Sequence, residues 1–124
     1  EDAGLTAADI DCVNAHGTST QNGDQIEAAS LREVFGAGLA RLPVTANKSL
    51  VGHSLGAAAA VEAALAVEGR RRGRILPTAN YVPDPALGEL DVVAGGVRER
   101  AHELTLTNAF GFGGTNGALV LRGV

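Results

Sequence analysis

The chain has 124 residues, 45% of them hydrophobic and 19% charged, an ordinary makeup for one folded unit that buries roughly two thirds of its unfolded surface. Ten basic against fourteen acidic residues give a formal charge of −4, which offers no general attraction to nucleic-acid phosphates. No apolar run approaches the roughly 18 residues of a membrane span, and no basic segment leads into an apolar one as in a secretory signal; no membrane and a cytoplasmic setting are the expectation.

From the N-terminus, "EDAGLTAADID" reads as the end of a helix with Gly4 as its cap, and the sequence contains no methionine; a fragment of a longer protein is expected. "IDCVNA" (10–15) predicts a short strand. After the polar loop "HGTSTQNG", the stretch "DQIEAASLREVF" places Ile26, Ala28, Ala29, Leu31 and Val34 near helical spacing. "LPVTANKS" predicts a second strand, "GHSLG" a glycine-rich turn, and "AAAAVEAALAVEGRRRG" a helix apolar on nearly every side, expected to lie buried between two layers. "ILPTANYVPDPALG" carries three of the four prolines and reads as an extended surface connection, followed by "DVVAGG" as a short strand or turn. "ELTLTNAF" and "GALVLRG" predict two strands joined by the turn "GFGGTN". This β-α-β-α-β-β order predicts an α/β fold with helices against a central mixed sheet.

Three loops bear on chemistry. "GFGGTNG" (111–117) is followed by a strand rather than a helix and has Asn116 at the sixth position, so glycines of a tight turn explain it better than dinucleotide binding. Gly52, Ser54 and Gly56 of "VGHSLG" fit a G-x-S-x-G nucleophile elbow, and Asp84 or Asp91 with His102 complete a hydrolase order. The polar run Asn47-Lys48-Ser49 and the charged surroundings of His102 speak against that reading. The remaining inventory is donor-rich: His16, Thr18 and Thr20 follow one strand, Lys48 and His53 a second, and Asn108, Phe110 and Phe112 end a third. Converging at one sheet edge, such donors suit a negative oxygen on a carbonyl compound.

"VNAHGTST" with "GDQIE", "NKSLVGHSLGAAAAVEA", "PTANYVPDP" and "TNAFGFGGTNGALVL" resemble the C-terminal half of an elongating β-ketoacyl-acyl carrier protein synthase, a ketosynthase of the thiolase superfamily. The resemblance runs from about Ala3 to Leu121 and implies a thiolase-type fold that an N-terminal half completes. It implies a Cys-His-His site: a cysteine takes the acyl chain as a thioester, and a malonyl carrier thioester decarboxylates to the enolate that attacks it. His16 and His53 match the two histidines, and Lys48 the lysine that tunes their charge. Asp24, Glu27 and Glu62 match acidic positions linked with that lysine, although Asp24-x-x-Glu27 also reads as a helix capping pattern and Glu62 as a buried residue needing a local partner. Phe112 matches the gating phenylalanine, whose N–H joins an oxyanion hole, while Phe110 is expected in the core. Thr18 and Thr20 match threonines at the pantetheine arm, where local backbone bonding is the plainer role.

The resemblance implies no metal and no cofactor, with substrates carried on the phosphopantetheine of acyl carrier protein. Expected partners are the N-terminal half, the carrier protein and a second synthase in a homodimer or heterodimer. Gln21, Asn47 and Ala59 depart from the family's usual residues, and Asn47 bears on the bonding near Lys48. The resemblance implies that the nucleophile belongs to an N-terminal half; Cys12, on the first strand, is expected to be a buried core thiol. "RRRGR" (70–74) suits either docking of an acidic carrier protein or solvated cations at a helix end. A non-catalytic scaffold resembling a chain-length factor is the rival from another class.

Overall fold

The computed structural model describes residues 2–123. In chain order the elements are β1 (Cys12–Asn14), α1 (Gln21–Phe35), β2 (Pro43–Thr45), the single turn α2 (Lys48–Val51), α3 (Ala58–Arg71), β3 (Arg74–Ile75), β4 (Asp91–Val92), β5 (Arg98–Glu99), β6 (Leu104–Phe110) and β7 (Asn116–Arg122). The main sheet runs β4-β2-β1-β6-β7, with β7 antiparallel to β6 and the other pairs parallel. β3 and β5 form a separate antiparallel ribbon. The expected mixed α/β sheet is therefore present, and "GFGGTN" is indeed the β6–β7 connection.

The two faces of the sheet differ chemically. Val13, Val44 and Leu106 share one face by register, and with Ala15, Leu31, Leu39 and Leu42 they build the apolar core under α1. The opposite face carries Cys12, Asn14, Thr45, Thr105 and Thr107, all buried. Polar groups buried there require partners: Asn47 Nδ2 donates to Asn14 Oδ1 at 2.7 Å, Asn14 Nδ2 to Thr107 Oγ1 at 3.0 Å, and Thr45 Oγ1 to the Leu76 carbonyl at 2.6 Å.

Two expectations about helices need correction. α3 is not enclosed on both sides: Ala58, Glu62 and Gly69 are buried, while Ala60, Val61, Ala64 and Val67 form an exposed stripe. Among the described residues no element covers that side. On α1 the inward face is Glu27, Ala28 and Leu31, whereas Ile26 and Val34 are 67% and 61% exposed. The apolar residues expected at helical spacing are thus split, because a carboxylate takes one of the inward positions. Asp24 lies inside the first turn, and Thr20 at the N-cap makes no side-chain capping bond, so the capping reading of Asp24-x-x-Glu27 does not hold.

Residues 2–4 form a turn in which Gly4 takes φ +64°; Glu1, where the expected helix end would begin, lies outside the described residues. No helix among the described residues is long and apolar enough to cross a membrane.

Candidate functional site

Because β1, β2 and β6 are mutually parallel through β1, the loops after their C-terminal ends open on one edge of the sheet. That edge gathers His16, the Lys48–His53 segment and Phe110, as the donor inventory predicted. The His16 and His53 rings lie edge to face, 5.9 Å between centroids.

His16 is held at both its backbone and its ring. Glu27 Oε1 accepts the His16 backbone N–H at 2.9 Å and Oε2 accepts that of Gly17 at 3.0 Å. Asn108 Nδ2 donates to the same Oε1 at 3.1 Å. Gly17 takes φ +43°, and a Cβ there would stand 2.7 Å from the Ala46 Cβ, so the turn both bends left-handed and lies against its neighbour. The Phe110 backbone N–H donates to His16 Nδ1 at 3.2 Å. Phe110 itself is 37% exposed and its ring lies 5.3 Å from that of His16. It is therefore a wall of the site rather than core packing, because β6 ends there at the open edge.

His53 follows α2 across Gly52, which has φ +80°. Its Nδ1 accepts the Leu55 backbone N–H at 3.3 Å. A ring nitrogen that accepts a hydrogen bond carries no proton, so both neutral imidazoles bear theirs on Nε2. The arrangement leaves an Nε2–H on each of two histidines that border one cleft. Burial, and then the positive charge of Lys48, hold the His16 pKa below its ordinary 6.5, with Glu27 opposing.

Lys48 Nζ pairs with Glu62 Oε2 at 2.7 Å, and the two side chains are 4% and 1% exposed. Glu62 Oε1 has no hydrogen-bond partner among the described residues. Of the three acidic candidates, Glu62 alone contacts the lysine. Glu27 serves the His16 turn, and Asp24 borders the groove, its carboxyl raised by burial against the opposing N–H of Ser19.

A cleft of about 290 Å³ is bordered by His16, Lys48, His53 and Phe110. A larger groove of about 830 Å³ runs from Lys48 and His53 past Thr18 to Leu31 and Leu90. Thr18 and Thr20 bring their hydroxyls within 3.4 Å of each other, and Thr20 is exposed outside the groove. Phe112, at the start of a turn in which Gly113 and Gly114 take φ +77° and +83°, is 99% exposed and borders neither cavity. Asn47 turns its amide toward Asn14 and Thr45 rather than toward Lys48 or Glu62.

The other candidates disperse. Between β2 and Ser54 stands α2, so Ser54 is on no strand-to-helix elbow, and it is exposed with an ordinary backbone. Asp84 accepts from Ala86 N–H, Asp91 is bidentate with Arg98, and His102 Nδ1 lies against the Arg100 carbonyl. The hydrolase constellation does not assemble. Cys12 is 2% exposed, and burial pushes its thiol up to about 12; a group kept as thiol is no nucleophile. Each arginine of "RRRGR" has a carboxylate beside it: Arg70 with Glu103, Arg71 and Arg72 with Glu68, and Arg74 with Glu99. That pairing leaves a mixed surface in place of a basic patch. The clamp made by Glu27 and Asn108 and the place of Phe110 belong to no motif read above; their visible signal is an asparagine interrupting the apolar alternation Leu104, Leu106, Phe110 on β6.

Residues 1–82 match the family described as Beta-ketoacyl synthase, C-terminal domain. The chain is 43% identical over 123 residues to the 3-oxoacyl-[acyl-carrier-protein] synthase 2 of Coxiella burnetii (strain RSA 493 / Nine Mile phase I), covering 99% of this chain and 30% of that relative. Among solved structures it is similar to a β-ketoacyl synthase from Burkholderia phymatum STM815, with TM-score 0.92 and 43% identity, covering 99% of this chain and 30% of that one. It is also similar, with TM-score 0.94 and 30% identity, to a type II PKS acyl-carrier protein in complex with its ketosynthase bound to the hexaketide, again over 99% of this chain and 30% of that one. The chain thus spans 30% of the length of these relatives.

Proposed function

The chain belongs to the β-ketoacyl synthase family, as its C-terminal domain, and on that premise we propose that it supplies the two-histidine half of an acyltransferase that condenses malonyl and acyl thioesters in fatty acid or polyketide biosynthesis. The single observation that carries this reading is the pair of imidazoles 5.9 Å apart, each with Nδ1 occupied by a backbone N–H.

The reaction divides into balanced steps. A cysteine thiolate of the nucleophile-bearing portion attacks the acyl-carrier thioester, the C–S bond to the carrier breaks, and the carrier leaves as a thiolate that takes a proton from solvent. The malonyl carrier thioester then loses carbon dioxide; the electron pair of the broken C–C bond becomes an enolate, whose oxygen takes hydrogen bonds from the Nε2–H groups of His16 and His53. Fixed donors aimed where charge develops lower that barrier without reorganising. The enolate carbon attacks the acyl carbonyl, and the cysteine sulfur leaves. Burial, and then the charge of Lys48, favour neutral His16, and the Phe110 N–H on Nδ1 leaves its one proton on Nε2. Asp24 and Glu27 support the loop. We assign Phe112, exposed beside the cleft's glycine turn, to a gate and its N–H to an oxyanion hole, and Thr18 and Thr20 to the pantetheine arm. The domain takes in residues 1–124, uses no cofactor of its own, works in the cytoplasm, and meets acyl carrier protein and a second synthase in a dimer.

Denaturing intact-mass spectrometry of natively purified material exposed to an acyl carrier thioester tests the division of labour. The reading expects the acyl mass on a cysteine of the nucleophile-bearing portion. Acylation of Cys12 or Ser54 overturns it, and no acylated species at all favours a scaffold resembling a chain-length factor.

A further inference from the structure

Resting on the reading of His16 as a donor to the thioester oxygen, we infer that Asn108 is a positioning residue for that histidine. Asn108 is 7% exposed and lies on β6, on the face where Leu106, two residues earlier, packs against the apolar core. An apolar side chain would continue that face. Instead the amide meets Glu27, itself 5% exposed, and donates to the oxygen that also receives the His16 backbone N–H. Two residues further on, the Phe110 N–H holds His16 Nδ1.

The contacts close a ring: His16 N–H to Glu27 Oε1, Asn108 Nδ2 to that oxygen, the chain from Asn108 to Phe110, and the Phe110 N–H back to the His16 ring. Both ends of the histidine are thereby referred to one strand end, which fixes where Nε2 points. Without the amide, Glu27 keeps its bonds to the turn but loses its tie to β6, and the Phe110 N–H is then what still links His16 itself to that strand end. Asn108 touches no reacting atom; it acts through Glu27.

The test uses the protein completed by its cysteine-bearing portion, with malonyl carrier thioester decarboxylation and the ring 15N resonances of His16 as readouts. Asn108→Ala is expected to lower kcat on the order of a hundredfold with KM little changed, the cost of misplacing a group by about an ångström. Its His16 Nδ1 resonance should lose the shift of a hydrogen-bond acceptor. Asn108→Asp sets a second carboxyl against Glu27; two such groups share a proton, one pKa rising strongly. Asp24 on α1 and His16 are in charge contact with Glu27, and Lys48 on α2, His53 and Glu62 on α3 act on His16 in turn. The protonated carboxyl donates as the amide did, so the rate of this variant relative to wild type should climb as falling pH protonates the pair.

A wild-type rate with unchanged His16 resonances in Asn108→Ala overturns the inference. Should that variant not fold, a pH-independent rate ratio for Asn108→Asp does so. If His16→Ala decarboxylates normally, the functional reading fails instead, and the His16 resonances alone decide the positioning role.

Discussion

Lys48 and Glu62 form an ion pair at 2.7 Å with both side chains almost fully buried. It ties the start of α2, which leads to His53, to the inner face of α3. Removing one partner leaves an uncompensated buried charge, so Lys48→Ala should destabilise the fold by about 3–5 kcal/mol, whereas Lys48→Met with Glu62→Leu should recover most of the loss. Denaturant unfolding of the two variants checks this; equal losses in single and double variants would contradict it.

His16 carries the pH dependence. Its folded pKa is held below 6.5, so the unfolded chain binds more protons as pH falls below 6.5. The stability it contributes is present above 6.5 and is lost as pH drops through 6.5 toward the lower folded value. An NMR titration of its ring should give a midpoint below 6.5, and Lys48→Met should raise that midpoint by removing a cation. A wild-type midpoint at or above 6.5 would contradict the account.

Gly17 and Gly36 separate strain from crowding. Both have positive φ, +43° and +52°, but a Cβ at Gly17 meets Ala46 at 2.7 Å while one at Gly36 meets nothing within 4 Å. Gly36→Ala should cost on the order of 1 kcal/mol of backbone strain, and Gly17→Ala more. Thermal melts of the two variants should rank them in that order, with Gly17→Ala alone disturbing the N–H bonds to Glu27.

Thr105 Oγ1 is buried without a partner among the described residues. A hydroxyl so placed costs on the order of 1–3 kcal/mol. Thr105→Val keeps the shape and should raise the midpoint of urea unfolding; a lower midpoint would mean that the hydroxyl is satisfied in solution.

Much of this was legible in the sequence because period and punctuation agree. Alternation in "ELTLTNAF" and "GALVLRG", with glycines between, marks the β6–β7 hairpin, and the structure sets His16 beside His53 and Lys48 against Glu62. Less legible were features set by tertiary placement. Glu27 occupies an inward position of α1 because two backbone N–H groups of a distant turn need it, and no periodicity carries that. The turn α2 is too short to show a helical pattern, yet it is what removes Ser54 from any elbow. Phe110 is expected in the core and Phe112 at a gate; only the end of β6 at the open edge puts Phe110 beside His16, while Phe112 is exposed. The apolar circumference of α3 predicted burial on both sides, which depends on a layer that these residues do not supply.

The central claim is that His16 and His53 stabilise the enolate formed from a malonyl thioester. The most direct measurement is the rate of carbon dioxide release from malonyl carrier thioester by the protein joined with its cysteine-bearing portion, in wild type and in His16→Ala and His53→Ala. Each substitution should slow release on the order of a hundredfold to a thousandfold, as loss of one preorganised donor does, while the acyl mass still loads onto the cysteine. Wild-type rates of release in both variants would contradict the account.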